Sequence, residues 1–207
     1  MYVYEPIKMV CMYLNLDDCL TELNAVMADM TANTNQHALN QDSINYSTLN
    51  NVQKKLYALI QYAGVSCDEV ATEYFPLIST EAVSTSENGN VLFSAFNKQV
   101  KKIISIDIDG HDIKFDVMHD CIKTHHPNSS ISCTYEYFPT YPVNMKSKLD
   151  VCANVTKRII AFKIASEFCL VKNLYDEYSF WERKFFDTIT YLKSAISSKK
   201  IKSKPLY

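Results

Sequence analysis

The chain has 207 residues, 47% of them hydrophobic, and a formal net charge of -2 from 21 basic and 23 acidic side chains. That composition suits one domain, or one domain carrying an inserted sub-domain, with apolar mass enough for a real core; it argues against disorder and gives no global sign of nucleic-acid binding. Only three glycines are present, Gly64, Gly89 and Gly110, so neither GxGxxG nor GxxxxGK[ST] can be written and the glycine-rich phosphate cradles are excluded.

Cysteine usage points to a reducing compartment. The seven cysteines are odd in number and form no CxxC pair, and four fall on predicted apolar faces, which fits buried thiols in an intracellular chain. No basic region followed by an apolar run opens the sequence, so no signal peptide is expected. The greasiest stretch, residues 159–171, is interrupted by Lys163 and Glu167 and is too short to span a bilayer.

Residues 1–14 are apolar and aromatic without a clean period, and Pro6 breaks them early. Two readings stand: a terminal segment laid on the core, or an arm (residues 1–15) that reaches a neighbouring chain through Tyr2, Tyr4, Ile7 and Tyr13. Residues 16–30 form an amphipathic helix with Leu16, Leu20, Leu23, Met27 and Met30 on one side and Asp17 and Asp18 in its first turn. The Asn/Gln/Thr/Ser-rich residues 31–47 read as a long exposed loop.

Residues 48–77 are the stretch around which the chain is organised. Leu49, Val52, Leu56, Leu59, Ala63, Cys67, Val70 and Tyr74 recur in steps of three and four, one face of a long helix that runs into a sheet. Gly64 costs about 1 kcal/mol relative to Ala within it. Ser66 with Glu69 has the form of a capping box and offers a competing break, but the unbroken phase favours continuity. Pro76 closes the helix.

Period two then takes over. Glu87-Asn88-Gly89-Asn90 reads as a hairpin turn between residues 77–85 and 91–96. A second hairpin sets Ile104, Ile106 and Ile108 against Ile113, Phe115 and Val117. Its turn centres on Asp109-Gly110, and a four-residue loop is favoured because a two-residue loop would oppose Asp107 to Asp112. Ile131, Cys133, Tyr135 and Tyr137 supply a last strand, and the whole reads as a small antiparallel sheet.

Residues 151–172 predict a helix with Val151, Val155, Ile159, Phe162, Ser166 and Cys169 in phase, stopped at Asn173. Residues 176–198 predict a second, with Tyr178, Trp181, Phe185, Ile189, Leu192 and Ile196 on one face. So short a connection makes an antiparallel helical hairpin. The expected fold is therefore α+β: a helical bundle from residues 16–76 and 141–198, with an antiparallel β sub-domain, residues 77–140, inserted between its halves.

Chemistry is sparse. His119-Asp120-Cys121 and Thr124-His125-His126 hold metal-ligand residue types, but the spacing supplies no second half for a tetrahedral site. A Cys121–His119 nucleophile lacks an orienting group and an oxyanion donor. Asp107, Asp109 and Asp112 resemble a calcium loop whose glycine is misplaced and whose closing glutamate is missing. No catalytic, metal or cofactor residue is assigned. The tail, residues 199–207, carries Lys199, Lys200, Lys202 and Lys204, read either as a solvated end or as contacts to DNA or an acidic partner.

Three local patterns carry a family resemblance. They are Glu69-Val70-Ala71-Thr72-Glu73-Tyr74-Phe75-Pro76-Leu77; Val91-Leu92-Phe93-Ser94-Ala95-Phe96 with Val100-Lys101-Lys102-Ile103-Ile104-Ser105-Ile106; and Ser132-Cys133-Thr134-Tyr135-Glu136-Tyr137-Phe138-Pro139, then Ile164-Ala165-Ser166-Glu167-Phe168-Cys169-Leu170 and Tyr175-Asp176-Glu177 with Trp181. In that order they resemble the head-to-tail connector (adaptor or ring) proteins of tailed bacteriophages, particularly the tail-tubular-protein-A-like adaptors of short-tailed phages. The likeness spans about residues 16–198, as architecture more than identity. It implies a non-enzymatic virion protein made in a bacterial cytoplasm. Its copies would close a ring, a dodecamer, beneath the portal protein, extend the channel for passing genomic DNA without reading sequence, and dock the tail or ring proteins, with no membrane partner. The rival expectation is a small intracellular binding or regulatory module, and a metal-dependent hydrolase using His119, Cys121, His125 and His126 ranks behind both.

Overall fold

The computed structural model describes residues 1–34 and 36–201, with side chains as far as Ile196. It divides into a helical unit, Met1–Val70 together with the chain from Pro139 onward, and a β unit, Ala71–Phe138. The fold is α+β, as the two periodicities predict.

Among the described residues, five α-helices build the first unit: α1 (Tyr4–Tyr13), α2 (Asp17–Ala32), α3 (Asn51–Glu69), α4 (Lys157–Val171) and α5 (Tyr175–Ile201). The N-terminal segment is thus neither an extended arm nor broken by Pro6. Pro6 occupies the first turn of α1, where a backbone N–H has no intrahelical acceptor to lose. Val3, Ile7 and Val10 are fully buried, and the start of the chain is pinned by hydrogen bonds from Val3 N–H to Ser147 O (3.0 Å) and from Leu149 N–H to Met1 O (3.0 Å). Of the two readings, the covering segment is the one observed.

Helix α4, not α3, lies at the centre. Every residue from Ile159 to Ser166 is buried, and the helix packs against α1, α3 and α5. A helix apolar all round belongs in the middle of its layer. It starts six residues later than predicted, because Val155 N–H closes a turn on Cys152 O (2.9 Å) and Thr156 is extended. The stripe of α2 is also rotated: Cys19, Leu23 and Val26 are buried, while Leu16, Leu20, Met27 and Met30 are only partly so.

The loop after α2 is held down rather than loose. Asp29 accepts hydrogen bonds from the Thr34 hydroxyl, from Gln36 N–H (2.9 Å) and from Asn40 Nδ2 (2.7 Å), and Leu39 is fully buried. Those donors, Thr34 first, hold the Asp29 carboxyl well below the usual carboxylate range. Helix α3 opens on a capping box between Asn50 and Gln53 and runs unbroken past Gly64; the Ser66 hydroxyl donates to Tyr62 O (2.7 Å) as a mid-helix residue does. Glycine stands at position 64 because a Cβ there would lie 2.5 Å from Tyr141 Cδ1 and 3.2 Å from Pro142 Cδ. A single π-helical stretch, Val70–Tyr74, follows.

With so few glycines, asparagine ends α1, α2 and α4. Asn15, Asn33 and Asn173 all have positive φ, at 52°, 54° and 58°. After each, the next N–H returns to a carbonyl five residues back: Leu16 to Cys11, Thr34 to Asp29 and Leu174 to Cys169. That is one Schellman stop used three times.

The β unit holds two antiparallel sheets instead of one. The first has the order β1 (Leu77–Ser84), β7 (Ser130–Tyr137), β3 (Val100–Ile108), β4 (His111–Asp112); the second has β2 (Asn90–Leu92), β6 (Cys121–Thr124), β5 (Phe115–Val117). They share one core, with Val91 and Ile122 from the second sheet meeting Val83, Ile106, Ile131 and Tyr135 from the first. The first predicted hairpin is therefore corrected, while the second forms as β3 with β4 but differs in its loop length and in Phe115 and Val117, which lie in the other sheet. The Gly89 turn forms, but β1 pairs with β7 and β2 with β6. Gly89 presses on β6: its carbonyl accepts Thr124 N–H at 2.8 Å, and a Cβ there would sit 2.3 Å from Thr124 O. The second turn is a two-residue loop, Asp109-Gly110, with φ of 53° and 81°, and it does oppose Asp107 to Asp112. Register shifts in β3 bury Ile103 and Ile106 and leave Ile104 exposed, which upsets the predicted alternation.

Candidate functional site

Two features of the helical unit stand out chemically, a buried lysine and an open aromatic cleft. Lys163 lies in the middle of α4, where its side chain is 6% exposed. Its ammonium meets Glu69 Oε2 at 3.0 Å, Glu167 Oε1 at 3.2 Å and Glu182 Oε1 at 3.1 Å. The three N–H donors of a lysine match three carboxylates from α3, α4 and α5. Ser166 Oγ donates to Glu182 Oε2 at 2.7 Å, and the ammonium lies 5.5 Å from the Phe185 ring centroid. Burial alone pulls the Lys163 pKa down, but hydrogen bonds and charge from Glu69 and Glu182 outweigh it and hold the ammonium above its ordinary value. A lysine so firmly protonated is a tie between helices and not a nucleophile. The sequence had shown it only as an interruption in an apolar stretch.

The cleft opens where α1 ends and α5 begins. It has a volume of about 650 Å³ and is lined by Tyr13, Leu14, Asn15, Leu16, Phe168, Cys169, Leu174, Asp176, Glu177, Phe180 and Trp181. Its wall is ordered by stacking: Tyr13 on Trp181 at 5.2 Å between centroids, Tyr13 on Phe162 at 5.7 Å, and Phe180 edge-on to Trp181 at 4.9 Å. Asp176 and Glu177, both exposed, put negative charge on the rim. Burial, and then the Glu177 charge, raise the Cys169 thiol pKa, so Cys169 offers no ready thiolate to the cleft.

The predicted contact residues of the N-terminus separate. Ile7 is fully buried within the chain and has no surface to offer a neighbour. Tyr13 belongs to the cleft wall. Tyr2 is 39% exposed, stacks on Tyr4 at 5.8 Å and carries the Lys148 ammonium 5.6 Å from its centroid; with Met27 and Met30 these two tyrosines line a shallower hollow. Of the tail, Lys199 and Lys200 lie in α5 with side chains outside the described residues, and Lys202 and Lys204 lie outside them altogether.

In the β unit, Cys121 lies on β6 and His125 and His126 just beyond its end. Among the described residues, no three His, Cys, Asp or Glu side chains are grouped to hold a metal ion. All seven cysteines are free, and burial pushes Cys11 and Cys67 up to about 12. No described helix is long and apolar enough to cross a membrane. No family model and no curated protein sequence matches the chain.

Proposed function

We propose that this chain is a non-enzymatic assembly protein, a subunit of a ring in a phage head-to-tail connector, where copies extend the portal channel and dock the tail. The observation that carries the reading is the open aromatic cleft where α1 ends and α5 begins. Of the residues that line it, Leu174 is 43% and Phe180 51% exposed, and Tyr175, next to Leu174 in the chain, is 61% exposed. Beyond the cleft the same side of α5 is charged: Arg183, Lys184 and Asp187 separate Phe180 from Tyr191, about three helical turns on. Large apolar side chains gathered around a cleft mark a surface that another protein covers. The order of parts also supports it, since a helical unit interrupted by an antiparallel β unit is the arrangement that the resemblance to connector proteins implies.

Quantitative mass spectrometry of purified particles from the source of the gene tests the proposal. A copy number comparable to that of the portal protein is the expected result. A protein missing from particles yet abundant in infected cells overturns the ring and leaves a regulatory or binding module in its place. Native mass spectrometry of the purified chain supplies the stoichiometry, with a single closed assembly expected rather than an open series of sizes.

A further inference from the structure

We infer that the cleft at the start of α5 receives the lysine segment of a second copy, residues 199–207, so that copies join head to tail. The inference rests on the proposed assembly and names the contact that makes it directional.

Charge is polarised along α5. Its first turn carries Asp176 and Glu177, whereas beyond Asp187 the sequence contains five lysines and no acidic residue. The segment that follows the helix pairs those lysines with Pro205, Leu206 and Tyr207. The cleft has the complementary composition, with two carboxylates on the rim and Tyr13, Phe180 and Trp181 as apolar wall. Lysine stems and a tyrosine ring suit aromatic faces, while the ammonium groups reach the acids.

Reach decides between the chain's own tail and a neighbour's. From Asp176 to Ile201 the helix rises about 38 Å. Three more residues bring Lys204 back by at most about 11 Å even when fully extended. The lysines of one chain therefore fall far short of its own Asp176 and Glu177. A cleft at one end and its ligand at the other form a heterologous pair, and repetition of such a pair closes a ring or grows a filament.

Carbodiimide cross-linking of the full chain, mixed from unlabelled and nitrogen-15-labelled copies, tests the contact. It joins a carboxylate to an amine only when the two touch. Links from Asp176 or Glu177 to lysines 199–204 are expected, with heavy-to-light pairs in statistical proportion. Absence of these links in assembled protein, or links confined to pairs within one label, overturns the inference. Self-association measured by sedimentation gives a second readout. Asp176→Lys/Glu177→Lys is expected to weaken it by about tenfold, and adding Lys202→Glu/Lys204→Glu to restore it; a charge swap without restoration rejects the pairing. The two readings fail separately. Heavy-to-light links in a protein missing from particles retain the contact and remove the connector. A full-size ring from a chain ending at Ser198 retains the connector and removes the contact.

Discussion

The helical unit and the β unit each set a buried ionisable side chain in hydrogen-bond contact with carboxylate, in opposite ways. In the helical unit the buried group is a cation, Lys163, and its three glutamates keep 15–28% of their side chains exposed. In the β unit it is a neutral phenol. Tyr135 is fully buried, and its hydroxyl donates to Glu81, whose other oxygen accepts both Asn97 N–H (3.0 Å) and Asn97 Nδ2 (3.0 Å). Glu81 stands opposite Cys133 in the β1–β7 ladder, so Tyr135 is its diagonal neighbour on the same face. The difference follows from what must be joined. A helical hairpin, α4 with α5, that must also hold the remote α3 needs a donor that points three ways, and lysine supplies it. Two paired strands are already fixed by backbone hydrogen bonds, so one directed side-chain bond is enough.

Breaking the lysine tie has the larger expected effect. Lys163→Met leaves three carboxylates crowded around an apolar methyl group. Removing one partner of a buried ionic group costs about 3–5 kcal/mol, and the partial exposure of the glutamates places this variant at about 3 kcal/mol, near the lower end. Urea unfolding reads it directly. A loss below about 1 kcal/mol, the scale of a surface pair, shows that the three helices hold together without the tie.

Tyr135→Phe is expected to cost less, about 1.5–3 kcal/mol, the range for a hydrogen bond to a charged group, because Asn97 still serves Glu81. Its signature is in the pH dependence. Burial and the Glu81 hydrogen bond push the Tyr135 hydroxyl from 10.0 up to about 12. The folded state thus prefers the protonated phenol, and that stabilisation is complete below pH 10.0 and lost as pH rises towards about 12. Glu81 has the other sign. Burial works against its charge, but Tyr135 and Asn97 outweigh burial and hold its pKa below 4.5, so its contribution is present above pH 4.5 and is lost as pH falls through the depressed value. Stability curves of wild type and Tyr135→Phe should therefore converge above about pH 10. Parallel curves across that range remove the phenol–carboxylate bond from the account.

Legibility in the sequence followed contact with water. Helix α3 and the buried stripe of α5 were readable because each has a wet face, so its apolar positions repeat with the helical period; β7 was readable for the same reason with period two. Helix α4 has no wet face over Ile159–Ser166, so only part of its apolar surface registered as a stripe. Tyrosine and methionine around Val3, Ile7 and Val10 hid α1, because large residues on the partly exposed side blur the contrast that periodicity needs. The Schellman stops at Asn15 and Asn33 were missed for want of glycine, although Asn173 was read. Among candidate site residues, Tyr13 lies in the cleft, but the partners that make it a wall, Phe162 and Trp181, are remote in sequence. Of the lysine tie, only the pair Lys163 and Glu167, four residues apart on one helix, has a legible spacing. Nothing in the spacing of Glu69, Lys163 and Glu182 says that three helix faces converge.

The smallest expected effect tests why the Asp109-Gly110 loop overrides a like-charge pair. Both loop residues have positive φ, the geometry of a type I′ turn whose twist suits two antiparallel strands. Against that preference stands the repulsion of Asp107 and Asp112, directly opposite one another at the end of β3 and β4. Asp112 is exposed and Asp107 half-buried, so water and salt weaken the repulsion to a few tenths of a kcal/mol. The turn therefore wins. Asp112→Lys turns the pair attractive and should stabilise the chain by about 0.5 kcal/mol in low salt, a gain that shrinks as ionic strength rises. In a four-residue loop Asp112 would sit in the turn with no cross-strand partner, and the same change would be neutral. A neutral result in low salt thus restores the longer loop and, with it, the pairing of Asp107 with Lys114.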